Sequence, residues 1–235
     1  GIVPVENLIH GSIRDTFDGL FEKNVHIAMK YNYGIHHSLF VLPGVIKQDI
    51  KVIASHEQAL QQCRKFIRKY FPKAKLEKYS STIAALESVA GKNERTSAVI
   101  IADPVARYLV KNSNGHILAE NIEDEPKNYT IFAVIEKGPP RKIKNLQPGK
   151  KMETSIAFYF DKDKPGSLFE IFRIFTEEKI NLSRIESRPL KTNLGNYIFF
   201  LDFEGKAEDE KSAAALKKVK RVVRKIKILG SYPAV

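Results

Sequence analysis

Hydrophobic and polar positions fall into two rhythms along this chain. Up to about residue 135, short apolar runs give way to polar turn-formers and then to residues spaced for a helix. Gly1–Val5 runs into Glu6-Asn7 and a helix near Ser12–Phe21; Lys51–Ala54 runs into Ser55-His56-Glu57-Gln58 and a helix to about Tyr70. Lys75–Tyr79 leads through Ser80-Ser81-Thr82 to a helix ending near Ala90, and Ala98–Ala102 leads through Asp103-Pro104 to a shorter one. Asn128–Ile135 reads as one more strand. This alternation predicts an α/β domain with a largely parallel sheet.

The second rhythm occupies the C-terminal third. Ser155–Phe160 alternates as a strand, Asp163-Lys164-Pro165-Gly166 is a turn and helix start, and Leu168, Ile171, Phe172 and Phe175 follow at helical spacing. Asn181–Leu190 and Tyr197–Phe203 are strands joined by a turn at Lys191–Gly195; a basic helix over Asp209–Val223 and a strand over Lys225–Leu229 complete the set. The order βαββαβ predicts a ferredoxin-like fold. Glu136–Lys150 collects Pro, Gly and Lys without periodicity and reads as a linker. The predicted organisation is an α/β domain over 1–138, a linker over 139–150 and a small-ligand-sensing module over 151–235.

Composition narrows the class. A chain of 235 residues with 43% hydrophobic residues can bury two modest cores. The single cysteine, Cys63, excludes an intramolecular disulfide and fits a reducing compartment, and no apolar run has the length of a membrane span. The expectation is a cytoplasmic protein without membrane attachment. The net charge of +12 gathers in the linker and in Lys217, Lys218, Lys220, Arg221, Arg224, Lys225 and Lys227. Because the second run alternates with Leu216, Val219, Val222 and Val223, it reads as the solvated face of a helix rather than a nucleic-acid site.

Candidate chemistry lies where strands hand over to helices, since free N–H groups there favour anions. Asn7, Ser12, Ser55, Ser81, Thr82 and Thr130 stand at or near such points and suit a carboxylate- or phosphate-bearing ligand, although Ser, Thr and Asn are also ordinary caps. His10, His26, His36, His37, His56 and His116 show no metal-ligand spacing, and no phosphate loop or dinucleotide fingerprint is present, so neither metal nor cofactor is expected. The adjacent His36 and His37 precede a strand with side chains on opposite faces, a structural arrangement. Cys63 reads as a small buried hydrophobe.

Several blocks in order carry a family resemblance: Val3-Pro4-Val5-Glu6-Asn7 with Gly11-Ser12, Ile35-His36-His37, Ser55-His56-Glu57-Gln58-Ala59 with Gln62-Cys63, Ser81-Thr82, Leu118–Asp124 and Asn128–Phe132. Together they resemble the prephenate dehydratase family, and Gly166-Ser167-Leu168 with Glu186-Ser187-Arg188-Pro189 resembles its ACT domain. The resemblance implies a two-lobed, periplasmic-binding-protein-like dehydratase domain with its active site in the interlobe cleft, followed by the ACT domain. It implies conversion of prephenate to phenylpyruvate, water and CO2 without metal or cofactor. L-phenylalanine would act as feedback effector in an ACT-linked homodimer or homotetramer. By the same resemblance Thr130 is the hydroxyl donor to the leaving group, with Asn7, Ser55 and Gln62 as further catalytic residues. Ser12, Ser81 and Thr82 would hold substrate. Gly166, Ser167, Leu168, Asn181, Leu182, Glu186, Ser187, Arg188 and Pro189 would form the phenylalanine site.

The pattern also departs from the family's. Ile131 stands where the family's threonine is followed by arginine, Ser80 where a glutamate commonly precedes the Ser-Thr pair, and Glu57 where proline is usual. The opening part of the usual dehydratase domain, with its Gly-Thr-Phe loop, is missing from this sequence, which would leave one wall of the expected cleft incomplete. Ile131, Ser80 and the missing opening part define the alternative reading, a non-catalytic amino-acid sensor.

Overall fold

The computed structural model describes residues 1–9, 11–140, 151–162, 164–190 and 197–234. His10, Asp163, most of the expected linker and the expected turn at 191–195 lie outside them. In chain order the elements are β1 (Ile2–Asn7), β2 (Gly11–Ser12), α1 (Arg14–Glu22), β3 (Val25–Gly34), β4 (His37–Val41), β5 (Val52–His56), α2 (Glu57–Gln62) and α3 (Arg64–Tyr70). There follow β6 (Lys75–Tyr79), α4 (Thr82–Gly91), β7 (Ser97–Ala102), α5 (Asp103–Asn112), β8 (His116–Ala119) and β9 (Tyr129–Lys137). The C-terminal set is β10 (Met152–Tyr159), α6 (Ser167–Glu177), β11 (Leu182–Pro189), β12 (Tyr197–Glu204), α7 (Glu210–Val222) and β13 (Lys225–Pro233). Among the described residues no helix is long and apolar enough to cross a membrane.

The chain condenses into two compact units, Gly1–Tyr33 with Thr130–Val235, and Gly34–Tyr129. The second unit is a five-stranded sheet in the order β6-β5-β7-β4-β8. Its β5 pairs parallel with β6 and β7, whereas β4 pairs antiparallel with β7 and β8. The sheet is therefore mixed, not largely parallel as the alternation suggests, because periodicity reports elements and not their pairing. Leu39, Ile53, Ala98 and Ile100 pack on one side with Leu60, Cys63 and Ile67; Phe40, Ala54, Val99 and Ile101 pack on the other with Ala85, Val89 and Ala106. Cys63 is fully buried at the break between α2 and α3, and burial pushes its thiol pKa up, as suits an inert core residue.

The first unit holds two sheets, β2-β1-β9-β3 and β11-β12-β10-β13. The second of these has the βαββαβ connectivity expected from the sequence, with α6 and α7 over one face through Ile156, Phe158, Ile171, Phe175, Leu201, Phe203 and Val219. Its other face is covered as well. Ala157, Ile198, Phe200, Leu229 and Tyr232 share a core with Val5, Phe17, Leu20, Ile27 and Ala133 of the N-terminal elements. The module is thus not merely tethered by a linker; it completes the core of α1, β1, β3 and β9.

Polar groups reinforce this junction. Lys227 on β13 donates to the carbonyl oxygens of Leu20 (2.6 Å) and Lys23 (2.5 Å), neutralising the C-terminal end of α1. One lysine of the basic run is therefore a helix cap and not a solvated charge; burial, with Lys225 nearby, lowers its pKa. Lys30 on β3 is buried against Asp202 (2.8 Å) and Glu153 (2.7 Å), below the ring of Tyr232. Burial alone works against its ammonium, but the Asp202 and Glu153 carboxylates more than reverse this and raise the pKa. Burial and Asp202 also raise the pKa of the Tyr232 phenol, so it is neutral and the carboxylates carry the attraction. Ser155 hydrogen-bonds both Asp202 and Tyr232.

β13 and β3 approach closely at Gly230, where an added Cβ would lie 2.1 Å from the Ile27 carbonyl oxygen. Only glycine lets β13 pass β3 at this separation. Gly230→Ala should lower stability by at least about 2–3 kcal/mol, measured by urea unfolding. An unchanged midpoint would show that the two backbones do not meet there.

Candidate active site and its regulatory contacts

In the first unit, β1 pairs antiparallel with both β2 and β9, which places Asn7 opposite Gly11 on one side and Thr130 on the other. The Asn7 amide donates from Nδ2 to Thr130 Oγ1 at 2.9 Å, and its Oδ1 accepts from the Ile9 N–H at 3.1 Å. The second bond closes the turn that Gly11 enters with φ of +74°, a conformation natural to glycine. Both side chains of the Asn7–Thr130 pair are buried. A threonine hydroxyl that accepts from an amide keeps its own proton to offer to another oxygen, so the pair forms an oriented hydrogen-bond donor.

Alternation gives the hairpin two faces. Glu6 pairs with Ser12 and Ile131 on the neighbouring strands, so these three share the face opposite to Asn7 and Thr130. Ile131, where the family's arginine is expected, therefore does not point where Thr130 points. Ser12, expected to hold substrate, instead donates its hydroxyl to Glu186 Oε2 (3.0 Å) and accepts from Arg184 Nη2 (3.0 Å).

Strand β11 presents Arg184, Glu186 and Arg188 on one face, half-buried, while Ser183, Ile185, Ser187 and Pro189 are exposed. The half-buried residues reach the N-terminal elements. Arg188 bonds Asp18 on α1 at 3.2 and 3.3 Å, so Glu186 and Arg188 each engage a partner beyond their own strand. Arg184 lies 4.4 Å above the Phe17 ring and its Nε is 3.3 Å from Glu6. The remaining residues expected at the effector site sit at element starts. Gly166 has φ of +92° at the entry to α6, the Ser167 hydroxyl accepts from the Lys164 N–H, and Leu168 packs on the helical core. Asn181 bonds Glu204, and Leu182 packs half-buried against the core.

In the second unit, Ser81 caps α4 by accepting from the Ala84 N–H (2.9 Å), and Thr82 opens that helix half-buried. Ser55 lies beside a helix start and not at its cap. It is fully buried one residue before the cap, which is His56, and its hydroxyl donates to the Ile100 carbonyl, tying β5 to β7. Gln62 accepts from His37 Nε2 at 2.8 Å. Glu123, which sequence reasoning did not single out, receives the His37 backbone N–H and lies 2.7 Å from His36 Nδ1. His36 and His37 thus point apart, as adjacent strand residues do, and one carboxylate holds the segment between them. Burial works against the Glu123 carboxylate, but the bonds from His37 and His36 prevail and lower its pKa.

A buried hydroxyl–amide pair on an α/β framework, packed in one unit with a βαββαβ module whose charged strand reaches the same hairpin, defines an α/β protein with an appended ferredoxin-like module. A family model described as prephenate dehydratase matches residues 1–140, and one described as ACT domain matches 162–221. The prephenate dehydratase of Methanocaldococcus jannaschii is 41% identical over 99% of this chain and 80% of its own length. Among solved structures, the prephenate dehydratase from Arthrobacter aurescens in complex with L-Phe has a TM-score of 0.85 at 32% identity, covering 100% of this chain and 76% of that one. GqqA, described as a novel type of quorum quenching acylase, has a TM-score of 0.84 at 25% identity, covering 100% and 81%. The chain belongs to the prephenate dehydratase family and carries an ACT domain.

The lowered pKa of Glu123 has a definite sign. Its stabilising contribution is complete above the ordinary value of 4.5 and is lost as pH falls through the lowered folded-state value. The stability difference between the natural protein and Glu123→Gln, about 1–3 kcal/mol at neutral pH, should therefore shrink on acidification. Urea unfolding across that range measures it, and a constant difference would contradict the assignment.

Proposed function

We propose that the protein dehydrates and decarboxylates prephenate to phenylpyruvate for phenylalanine formation, and that its ACT domain binds L-phenylalanine as a feedback effector. The observation that carries the reading is the buried bond from Asn7 to Thr130, in a chain whose first 140 residues match the dehydratase family. In this reaction the ring carboxylate leaves as CO2, its bonding electrons aromatise the ring, and the ring hydroxyl departs to become water. Thr130 donates a hydrogen bond to that departing oxygen, a bond that strengthens as negative charge develops. A threonine hydroxyl is too weak an acid to surrender its proton outright, and solvent supplies the proton that completes water. Asn7 fixes the hydroxyl's direction. Ser81, Thr82 and Gln62 are groups of the kind that hold carboxylates, and Ser55 acts by tying β5 to β7.

The effector reading draws on Gly166, Ser167, Leu168, Asn181 and Leu182 at the starts of α6 and β11, together with the four-residue stretch Glu186–Pro189. By the family resemblance, the module would assemble as a homodimer or homotetramer. The buried thiol of Cys63 suits a cytoplasmic setting.

Incubation with prephenate while following phenylpyruvate, at several phenylalanine concentrations, tests both parts. Thr130→Ala should lower kcat roughly 100-fold with KM changed little, because its bond belongs to the transition state. Full turnover in that variant removes Thr130 from the mechanism. Phenylalanine binding without any turnover by the natural protein would favour the non-catalytic sensor.

A further inference from the structure

The back of the Asn7 hairpin is held by a residue of the ACT domain. Glu6 and Ser12 are opposed across β1 and β2, one pair before Asn7 and Gly11. Arg184 of β11 binds both: its Nε lies 3.3 Å from Glu6 Oε2 and its Nη2 donates to Ser12 Oγ at 3.0 Å. The guanidinium is seated on Phe17 at 4.4 Å and lies 3.8 Å from Asp202, the carboxylate that Lys30 also binds. Ser12 in turn donates to Glu186, two residues along the same strand. The planar fork suits this task, since it grips a carboxylate and a hydroxyl from fixed directions while its face rests on an aromatic ring. The Arg184 side chain is mostly buried, at 17% exposure, although the Glu6 carboxylate it meets is partly open to solvent.

We infer that Arg184 is a positioning residue for the dehydration step: by clamping Glu6 and Ser12 from behind, it sets the turn that carries Asn7 and so the direction of the Thr130 hydroxyl. This rests on the dehydratase reading. The geometry makes the clamp a mechanical link as well. Any displacement of β11 moves Arg184 and Glu186 together, and both are attached to the hairpin that carries Asn7.

The test combines kinetics with a readout independent of turnover. Arg184→Ala, Arg184→Lys, Asn7→Ala and the Arg184→Ala/Asn7→Ala double variant are assayed with prephenate, and folding is checked by circular dichroism. Arg184→Ala should lose about tenfold in kcat with KM within about twofold, and Arg184→Lys should recover part of it. In the Asn7→Ala background the same change should cost less than about twofold, because its route of action is already gone. Full turnover in folded Arg184→Ala, or an undiminished loss in the double variant, overturns the inference. Should Arg184→Ala not fold, Ser12→Ala removes only the shared hydroxyl and should lower kcat about threefold; full turnover there is equally fatal. The side-chain amide resonance of Asn7, identified by its disappearance in Asn7→Ala, separates this inference from the dehydratase reading. It should shift in Arg184→Lys or Ser12→Ala even if the natural protein turns over no prephenate, and an unmoved resonance rejects the clamp.

Discussion

The near-contact of β13 with β3 at Gly230 and Ile27 is the constraint on which the rest of the first unit depends. With those backbones so close, the sheet of the ACT domain cannot leave its second face to solvent. Ala157, Ile198, Phe200 and Leu229 must be covered, and the N-terminal helix and strands cover them. Burial of that shared apolar surface supplies the favourable free energy, while Lys227 on the end of α1 and Lys30 between Asp202 and Glu153 fix the register. Buried charges of this kind contribute specificity more than net stability, since each pair must first offset its desolvation.

From that junction the functional arrangement follows. The hairpin of β1 and β2 is a two-faced device, with Asn7 directed at Thr130 on one side and Glu6 and Ser12 held from the ACT domain on the other. Glu186 and Arg188 lie in the four-residue stretch that first suggested a regulatory module, and their partners are Ser12 and Asp18. The ACT domain and the proposed hydroxyl donor are therefore parts of one packed unit.

Much of this fold was legible in the sequence. The helices near Ser12–Phe21 and after Ser81, and all six C-terminal elements, lie close to their expected positions because each has a clear period and a polar or glycine boundary. Strand β3 was missed because His26 and Lys30 are buried within it, so its polar residues do not mark a solvent face. The double-sided burial did leave a trace. Tyr197–Phe203 is apolar at nearly every position, the mark of a strand covered on both faces, and only its strand character was read. Asn7 and Thr130 were legible as residue types, but their bond depends on a register between positions 123 residues apart, which no local pattern encodes. Ser55 stands one residue before the helix cap, whose capping atom belongs to His56. Arg184 went unnoticed although it continues the alternation of Glu186 and Arg188 on the same strand face.

The claim that the ACT sheet and the N-terminal elements form one cooperative body is tested most directly by native-state hydrogen exchange across a urea series. Backbone amides of β10 and β13 should join the same global opening as those of β1 and β9, with equal free energy and equal urea dependence. If β10 and β13 open separately from β1 and β9 with a smaller urea dependence, the two parts are independent domains, and coupling through a shared core is wrong.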